Sequence, residues 1–316
     1  MSRTCHSPEA AVGARIATMN GLAPWLGVAR APFLLLPVAL VAAGAAAAAY
    51  EGAFGWGPTL LALIGLLLLH AAVNALNEAS DLTTGIDLRT TRTPFSGGSG
   101  TLPAGRLSVR ATRIFAYTCA VIGGLIGGWF ALRLDLLFVL LMAAGAASVL
   151  FYSDFFARTG VGEIFAGLGL GALPVWGAAW VQGPPPGLAA LWAGVPSFFM
   201  TFNLLLLNEF PDEEADRAGG RWNIVLMLGR KGAALVYATA ALLTPVSIVV
   251  AVVLRALPVH ALVATLPSLF LVRPLRWALG DTREPVPIPA LGANVVWNLA
   301  TNTVLALALA VAVAMR

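Results

Sequence analysis

Long apolar segments follow one another along almost the whole chain, and this pattern restricts the fold more than any other feature. The sequence has 316 residues, of which 59% are hydrophobic and 11% are charged, and its mean hydropathy is +0.85. A helix needs roughly 20 mostly apolar residues to cross a bilayer, and no soluble core requires this much apolar sequence. We therefore predict an all-α, polytopic transmembrane bundle of about nine helices. The expected spans are residues 24–50, 57–77, 112–132, 135–152, 163–182, 188–208, 232–254, 257–279 and 289–315.

The distribution of basic residues predicts the orientation of this bundle. Most of the 19 Lys and Arg residues fall in alternate connections, and cytoplasmic loops carry an excess of such residues. We expect a cytoplasmic N-terminal tail at residues 1–23 and a single transmembrane domain at residues 24–316, surrounded by lipid in the cell membrane. The net charge of +4 then reflects membrane topology, and nucleic-acid binding is not implied.

Two cysteines and three histidines are scattered along the chain. Their spacing indicates neither a disulfide framework nor a zinc site. We expect His70, which precedes a polar cluster, to be a residue of a helix end and not a metal ligand.

That polar cluster belongs to a frame that occurs twice, as LNEASD at residues 76–81 and as LNEFPD at residues 207–212. In the second copy, Asn208, Asp212 and Asp216 are spaced i, i+4 and i+8. A helix of 3.6 residues per turn places three such residues on one face.

The first copy repeats only part of this spacing. Asn77 and Asp81 are four residues apart, and Asp87 follows Gly85. Since glycine commonly ends a helix in a left-handed conformation, we expect the chain to turn back there. The two conspicuous glutamates of the repeated frames, Glu78 and Glu209, are expected to be secondary.

Carboxylates grouped near a membrane interface repel each other and are costly to desolvate unless a cation lies among them. A single polar cluster at a span end is usually only facing the interface. Two clusters in one frame, on one predicted side and each followed by arginines, favour a functional site. Oxygen ligands without His or Cys suit Mg²⁺ together with substrate phosphates. The spacing therefore predicts a magnesium–diphosphate site in cytoplasmic loops at about 78–111 and 209–231.

The connection at residues 89–106 is rich in glycine. Such a backbone approaches anions closely, although a flexible tether would have the same composition. The segment lacks GxxxxGK[ST], so a nucleoside-triphosphate P-loop is not supported.

These motifs resemble those of the UbiA family of intramembrane prenyltransferases. NEASDLTTGID, from residue 77, is similar to the family pattern NDxxDxxxGxD, and NEFPDEEADRAGG, from residue 208, is similar to NxxxDxxxDxxxG. Residues 151–183 resemble most closely the members that act on 1,4-dihydroxy-2-naphthoate. The chain departs from the family at Glu78, where Asp is usual, and at Trp222 and Asn223, where small or basic residues are usual.

The resemblance implies an enzyme that moves a polyprenyl group from an allylic diphosphate onto an aromatic acceptor, with Mg²⁺ as cofactor, in a multi-pass protein whose site faces the cytoplasm. It implies metal binding by Asp81, Asp87, Asp212 and Asp216, and catalytic roles for Asp81, Asp212 and Tyr152. The diphosphate-binding residues that it implies are Asn77, Asn208, Arg89, Arg92, Lys231 and Arg30.

Two other interpretations remain at this point. Within the same fold, the acceptor is a 4-hydroxybenzoate, a porphyrin-type alcohol or a glycerophosphate. In a different class, the carboxylates couple ions in a secondary transporter, although transporters usually place such residues near the membrane midplane. A CDP-alcohol phosphotransferase is not supported, because the DGxxAR signature is absent.

Overall fold

The structure is a computed structural model that describes residues 21–316, so that residues 1–20 of the expected tail lie outside the described residues. Every regular element within the described range is helical. Its α-helices are α1 (Ala23–Val28), α2 (Leu35–Tyr50), α3 (Trp56–Thr84), α4 (Val109–Ala131), α5 (Leu136–Leu150), α6 (Gly162–Gly167), α7 (Leu173–Trp180), α8 (Leu188–Ala218), α9 (Ile224–Val253), α10 (Val272–Ala278) and α11 (Ile288–Ala314). Tighter 3₁₀ turns occur at Ala31–Leu34, Phe156–Arg158 and Val259–Leu271, and a π-helical turn, Leu168–Ala172, joins α6 to α7.

Seven helical segments of the described chain are long and apolar enough to cross a membrane: Ala31–Tyr50, Trp56–Thr84, Val109–Ala131, Gly162–Trp180, Leu188–Ala218, Ile224–Val253 and Ile288–Ala314. The predicted all-helical, multi-spanning fold is confirmed, whereas the number nine stays a prediction. The fourth expected span is the shorter helix α5. The eighth is mainly the 3₁₀ segment Val259–Leu271, which contains Pro267, and proline removes a helical hydrogen bond.

Small side chains allow the helices to pack closely. Helix α3 packs on α4, α8 on α9, and α2 on both α7 and α11. Twelve of the buried residues in the largest core cluster are alanines, such as Ala43, Ala190 and Ala251. Large apolar side chains such as Leu125 and Leu269 face outward, as expected for helices that contact lipid.

Two helices extend well beyond the length that a membrane span needs. Helix α3 has 29 residues and α8 has 31, so their last turns carry the two polar frames. The sequence predicted a loop at residues 209–231. This prediction is wrong, because α8 continues to Ala218 and α9 begins at Ile224. Helical spacing of the polar residues continues past the apolar part, and only residues 219–223 connect the two helices.

Candidate active site

The C-terminal turns of α3 and α8 face a common cavity of about 160 Å³. This cavity brings together eight of the residues predicted from the sequence: Arg30, Asn77, Asp81, Asp87, Tyr152, Asn208, Asp212 and Asp216. Two further charged residues, Glu209 and Arg221, also line it. The two frames are 131 positions apart in sequence, and the packing of the bundle places them opposite each other.

The end of α3 delivers the first group of carboxylates. Gly85 ends the helix with a left-handed φ of 78°, as expected, and the backbone N–H of Asp87 then donates to the carbonyl of Asp81 at 3.2 Å. Asp87 is thereby turned back and is only 3% exposed. Burial, followed by repulsion from Asp81 and Glu78, raises the pKa of Asp87 to about 7. Its Oδ2 atom is buried without a hydrogen-bond partner among the described residues.

The end of α8 delivers the second group on one helix face. Asp212 accepts a hydrogen bond from the hydroxyl of Thr90, which lies on the loop after α3. Asp216 is fully buried and accepts from the Asn223 side-chain amide at 2.9 Å. Asn223 also caps α9 by accepting from the backbone N–H of Leu226 at 3.0 Å. Asn223, at which the chain departs from the family pattern, therefore holds the Asp216 carboxylate and caps the start of α9.

Arg221 joins the two groups and is the main residue that sequence reasoning missed. Its guanidinium forms an ion pair with Asp81, another with Asp216 at 3.3 Å, and donates to the Asn77 side chain at 2.9 Å. Burial lowers the pKa of Arg221, but attraction to Asp81 and Asp216 outweighs this effect and raises it. One signal pointed to it: Arg221 follows the last glycine of the second motif, where the similar family sequence has lysine.

The two glutamates of the repeated frame have different surroundings. Glu78 is fully buried, accepts from Arg30 Nε at 3.0 Å, and accepts from the backbone N–H and hydroxyl of Ser99 at 2.7 and 2.8 Å. It therefore anchors the glycine-rich loop and does not line the cavity. Glu209 lines the cavity near the carboxyl group of Glu163.

Three basic residues predicted to bind diphosphate do not line the cavity. Arg89 and Arg92 are exposed on the loop after α3, and Arg92 contacts the carbonyl of Asp87 at 3.5 Å. Lys231 lines a separate surface depression beside Asp281. Of the predicted basic residues, only Arg30 lines the cavity together with the carboxylates.

A second cavity, of about 130 Å³, lies beside the first and is lined almost entirely by apolar residues of α3, α4, α5 and the Gly162–Trp180 segment. His70 and Leu170 line both cavities. Tyr152 is buried in the wall of the polar cavity. A polar pocket and an apolar chamber thus adjoin at His70 and Leu170.

The oxygen ligands of the polar cavity fit Mg²⁺. No group of three His, Cys, Asp or Glu side chains in residues 21–316 forms a ready-made metal cluster, and Arg221 lies between the carboxylates instead. Carboxylate and amide oxygens are nevertheless the only ligand types that both frames present, and Mg²⁺ takes one or two carboxylates plus phosphate oxygens. The unpartnered Oδ2 of Asp87 is a free ligand atom for such an ion.

Fold and pocket together define a multi-pass membrane protein whose buried site can hold an anionic head group above an apolar chamber. The profile of the UbiA prenyltransferase family matches residues 35–299, which is most of the chain. The chain belongs to the UbiA prenyltransferase family, and its members transfer prenyl groups.

Solved structures share this fold. A UbiA homologue from Archaeoglobus fulgidus bound to GPP and Mg²⁺ has a TM-score of 0.63 at 16% identity and covers 91% of this chain and 99% of that one. An apo UbiA homologue from Aeropyrum pernix K1 has a TM-score of 0.63 at 20% identity, and the match covers 85% of this chain and 96% of that one. A digeranylgeranylglyceryl phosphate synthase structure has a TM-score of 0.63 at 14% identity, and the match covers 93% of this chain and 99% of that one. No curated protein sequence matches this chain.

Proposed function

We propose that this chain transfers a polyprenyl group from an allylic diphosphate to an aromatic quinone precursor such as 1,4-dihydroxy-2-naphthoate. The reaction is Mg²⁺-dependent and takes place at the cytoplasmic end of the bundle. One observation carries the proposal: two Asn/Asp helix faces converge on a cavity that is lined by Arg221 and adjoins an apolar chamber. The A. fulgidus homologue bound to GPP and Mg²⁺ supports the donor class and the cofactor.

The carboxylates of the two frames would hold the ion. Asp81 and Asp87 act from α3 and its following turn, and Asp212 and Asp216 act from α8. Bound Mg²⁺ supplies positive charge that stabilises the diphosphate as the allylic C–O bond breaks.

Protein donors complete the head-group site. Arg221 and Arg30 line the cavity, and guanidinium groups bind phosphate oxygens in a bidentate manner. We therefore assign the basic contacts to these two arginines in place of Arg89, Arg92 and Lys231. Asn77 and Asn208 orient the ligands from the same helix faces. The ring of Tyr152 offers its π-face to the allylic cation.

Diphosphate release by the purified protein tests this proposal. The protein is incubated with farnesyl diphosphate and Mg²⁺, alone and with 1,4-dihydroxy-2-naphthoate, 4-hydroxybenzoate or glycerol phosphate, and then with EDTA. We expect release with a prenylated product for the naphthoate, and no release with EDTA. Product formation only with another acceptor would correct the acceptor assignment. Absence of release with every acceptor would refute the proposal.

A further inference from the structure

Below the carboxylates, the polar cavity ends in two polar side chains. His70 lies seven residues before Asn77 on α3, and Thr201 lies seven residues before Asn208 on α8. At 1.5 Å per residue, both lie about 10 Å deeper than the asparagines. Both line the cavity and are almost fully buried, at 5% and 3% exposure.

His70 offers an acceptor atom to this floor. Its Nδ1 lies 2.9 Å from the carbonyl oxygen of Leu66, and because a carbonyl only accepts, Nδ1 carries the hydrogen. In the neutral ring Nε2 then has a free lone pair, and this atom is buried without a partner among the described residues. The structure also corrects the expectation of a helix-end residue, because His70 lies within α3, two turns before the site.

Thr201 offers a hydrogen-bond donor to the same floor. Its hydroxyl oxygen accepts from the Asn298 side chain at 3.4 Å. The hydroxyl hydrogen has no acceptor among the described residues and is therefore available to a ligand. An acceptor and a donor at the same depth match a hydroxyl group, which donates one hydrogen bond and accepts another.

The surrounding walls show why a prenyl tail is a poor occupant of this floor. Leu36, Val73 and Leu205 are among the apolar residues around it, and a hydrocarbon against His70 and Thr201 would leave both polar groups unpaired. The neighbouring chamber past Leu170 has a lower cost, because Thr201 does not line it and every lining residue other than the shared His70 is apolar. The two adjoining cavities therefore differ: one is almost entirely apolar, and the other has a polar floor.

We propose that His70 and Thr201 form the floor of an acceptor subsite that binds a ring hydroxyl of an aromatic acceptor. The hydroxyl donates to Nε2 of His70 and accepts from the hydroxyl of Thr201. This assignment rests on the proposed function for the identity of the acceptor class, and it adds two residues that select among acceptors.

Binding to the full-length protein in detergent, without donor or Mg²⁺, tests the subsite independently of catalysis. The probes are two pairs that differ in ring hydroxyls: 1,4-dihydroxy-2-naphthoate with 2-naphthoate, and 4-hydroxybenzoate with benzoate. We expect the wild type to prefer the hydroxylated member of at least one pair by about tenfold, since unpaired buried groups cost that order of affinity. A wild type without preference in either pair overturns the proposal.

Variants then locate the preference. His70→Phe keeps a ring but removes Nε2 and is expected to abolish the preference. Thr201→Val is expected to weaken it, and His70→Gln, which retains an acceptor oxygen, to keep part of it. His260→Phe is the matched control, because His260 also has a buried nitrogen without a partner but lies outside this cavity. A preference retained in His70→Phe contradicts the assignment.

Kinetics separates this subsite from the proposed function. If the wild type prenylates an acceptor, His70→Phe is expected to raise the KM for that acceptor about tenfold and to leave the KM for farnesyl diphosphate unchanged. A change in donor KM or donor-length preference instead would make His70 a wall of the tail site and overturn the proposal. Hydroxyl-dependent binding without any diphosphate release would refute the proposed function while supporting the subsite.

Discussion

The two LNExxD frames share a sequence pattern, yet the ends of α3 and α8 use it differently. Helix α3 stops at Gly85, so that a turn delivers Asp87, whereas α8 continues to Ala218 and presents Asn208, Asp212 and Asp216 on one face. Glu78 anchors a loop through Arg30 and Ser99, but Glu209 lines the cavity. Equal spacing within a helix therefore specifies which side chains share a face, and the neighbouring segments decide what that face contacts.

The strongest test of the comparison removes one carboxylate from each frame. We expect Asp81→Ala and Asp212→Ala each to lower Mg²⁺-dependent diphosphate release by at least about a hundredfold, because each removes charge stabilisation from the leaving group. Melting temperature and yield in detergent show whether each variant still folds. Full activity in either variant would contradict the assignment of that residue to the metal site.

The second test exploits the different surroundings of the two glutamates. Glu78→Gln leaves the largely buried Arg30 without its counter-charge, and we expect a loss of roughly 2 kcal/mol in stability. Glu209→Gln removes one of two neighbouring buried acids, so its stability is expected to be unchanged or higher. Thermal unfolding in detergent measures both. Equal losses in the two variants would mean that the frames are structurally equivalent.

A third test concerns the turn that exists only after α3. Gly85→Ala forces a residue with a Cβ into the left-handed region, at a cost of about 1–2 kcal/mol, although nothing lies within 4 Å of the added Cβ. We expect displacement of Asp87 and an increase of about fivefold in the Mg²⁺ concentration for half-maximal activity. Gly57→Ala is the control, since it adds a Cβ to the same helix in open space. An unchanged Mg²⁺ requirement in Gly85→Ala would show that the turn does not position Asp87.

The smallest expected effect comes from Asn223, which supports only the second frame. Asn223→Ala removes the cap of α9 and the amide contact to Asp216, with an expected stability loss of about 1 kcal/mol. Asn223→Ser can retain the cap but is too short to keep the contact. If Asn223→Ser restores both stability and activity, the bond to Asp216 has no functional role.

Much of this arrangement could be predicted from local patterns. The spacing of Asn208, Asp212 and Asp216 specified one helix face, and Gly85 correctly predicted the end of α3. The sequence pattern underestimated the length of α8. The change from apolar to polar residues was interpreted as the end of the helix, although the polar residues keep helical spacing as far as Asp216. Arg221 could not be assigned to the site from local spacing, because its partner Asp81 is 140 residues away.

The sequence by itself determined the class of fold and the polar residue types that the two frames present. Hydrophobic runs require helices that satisfy their own backbone hydrogen bonds in lipid, and the 3.6-residue period groups carboxylates on helix faces. Only the tertiary structure decided that Arg221 bridges the frames, that Glu78 holds a loop, and that Arg89 and Lys231 lie outside the cavity. These outcomes depend on how α3 and α8 are positioned, and contacts between distant segments are set by packing of the whole bundle, which no local period specifies.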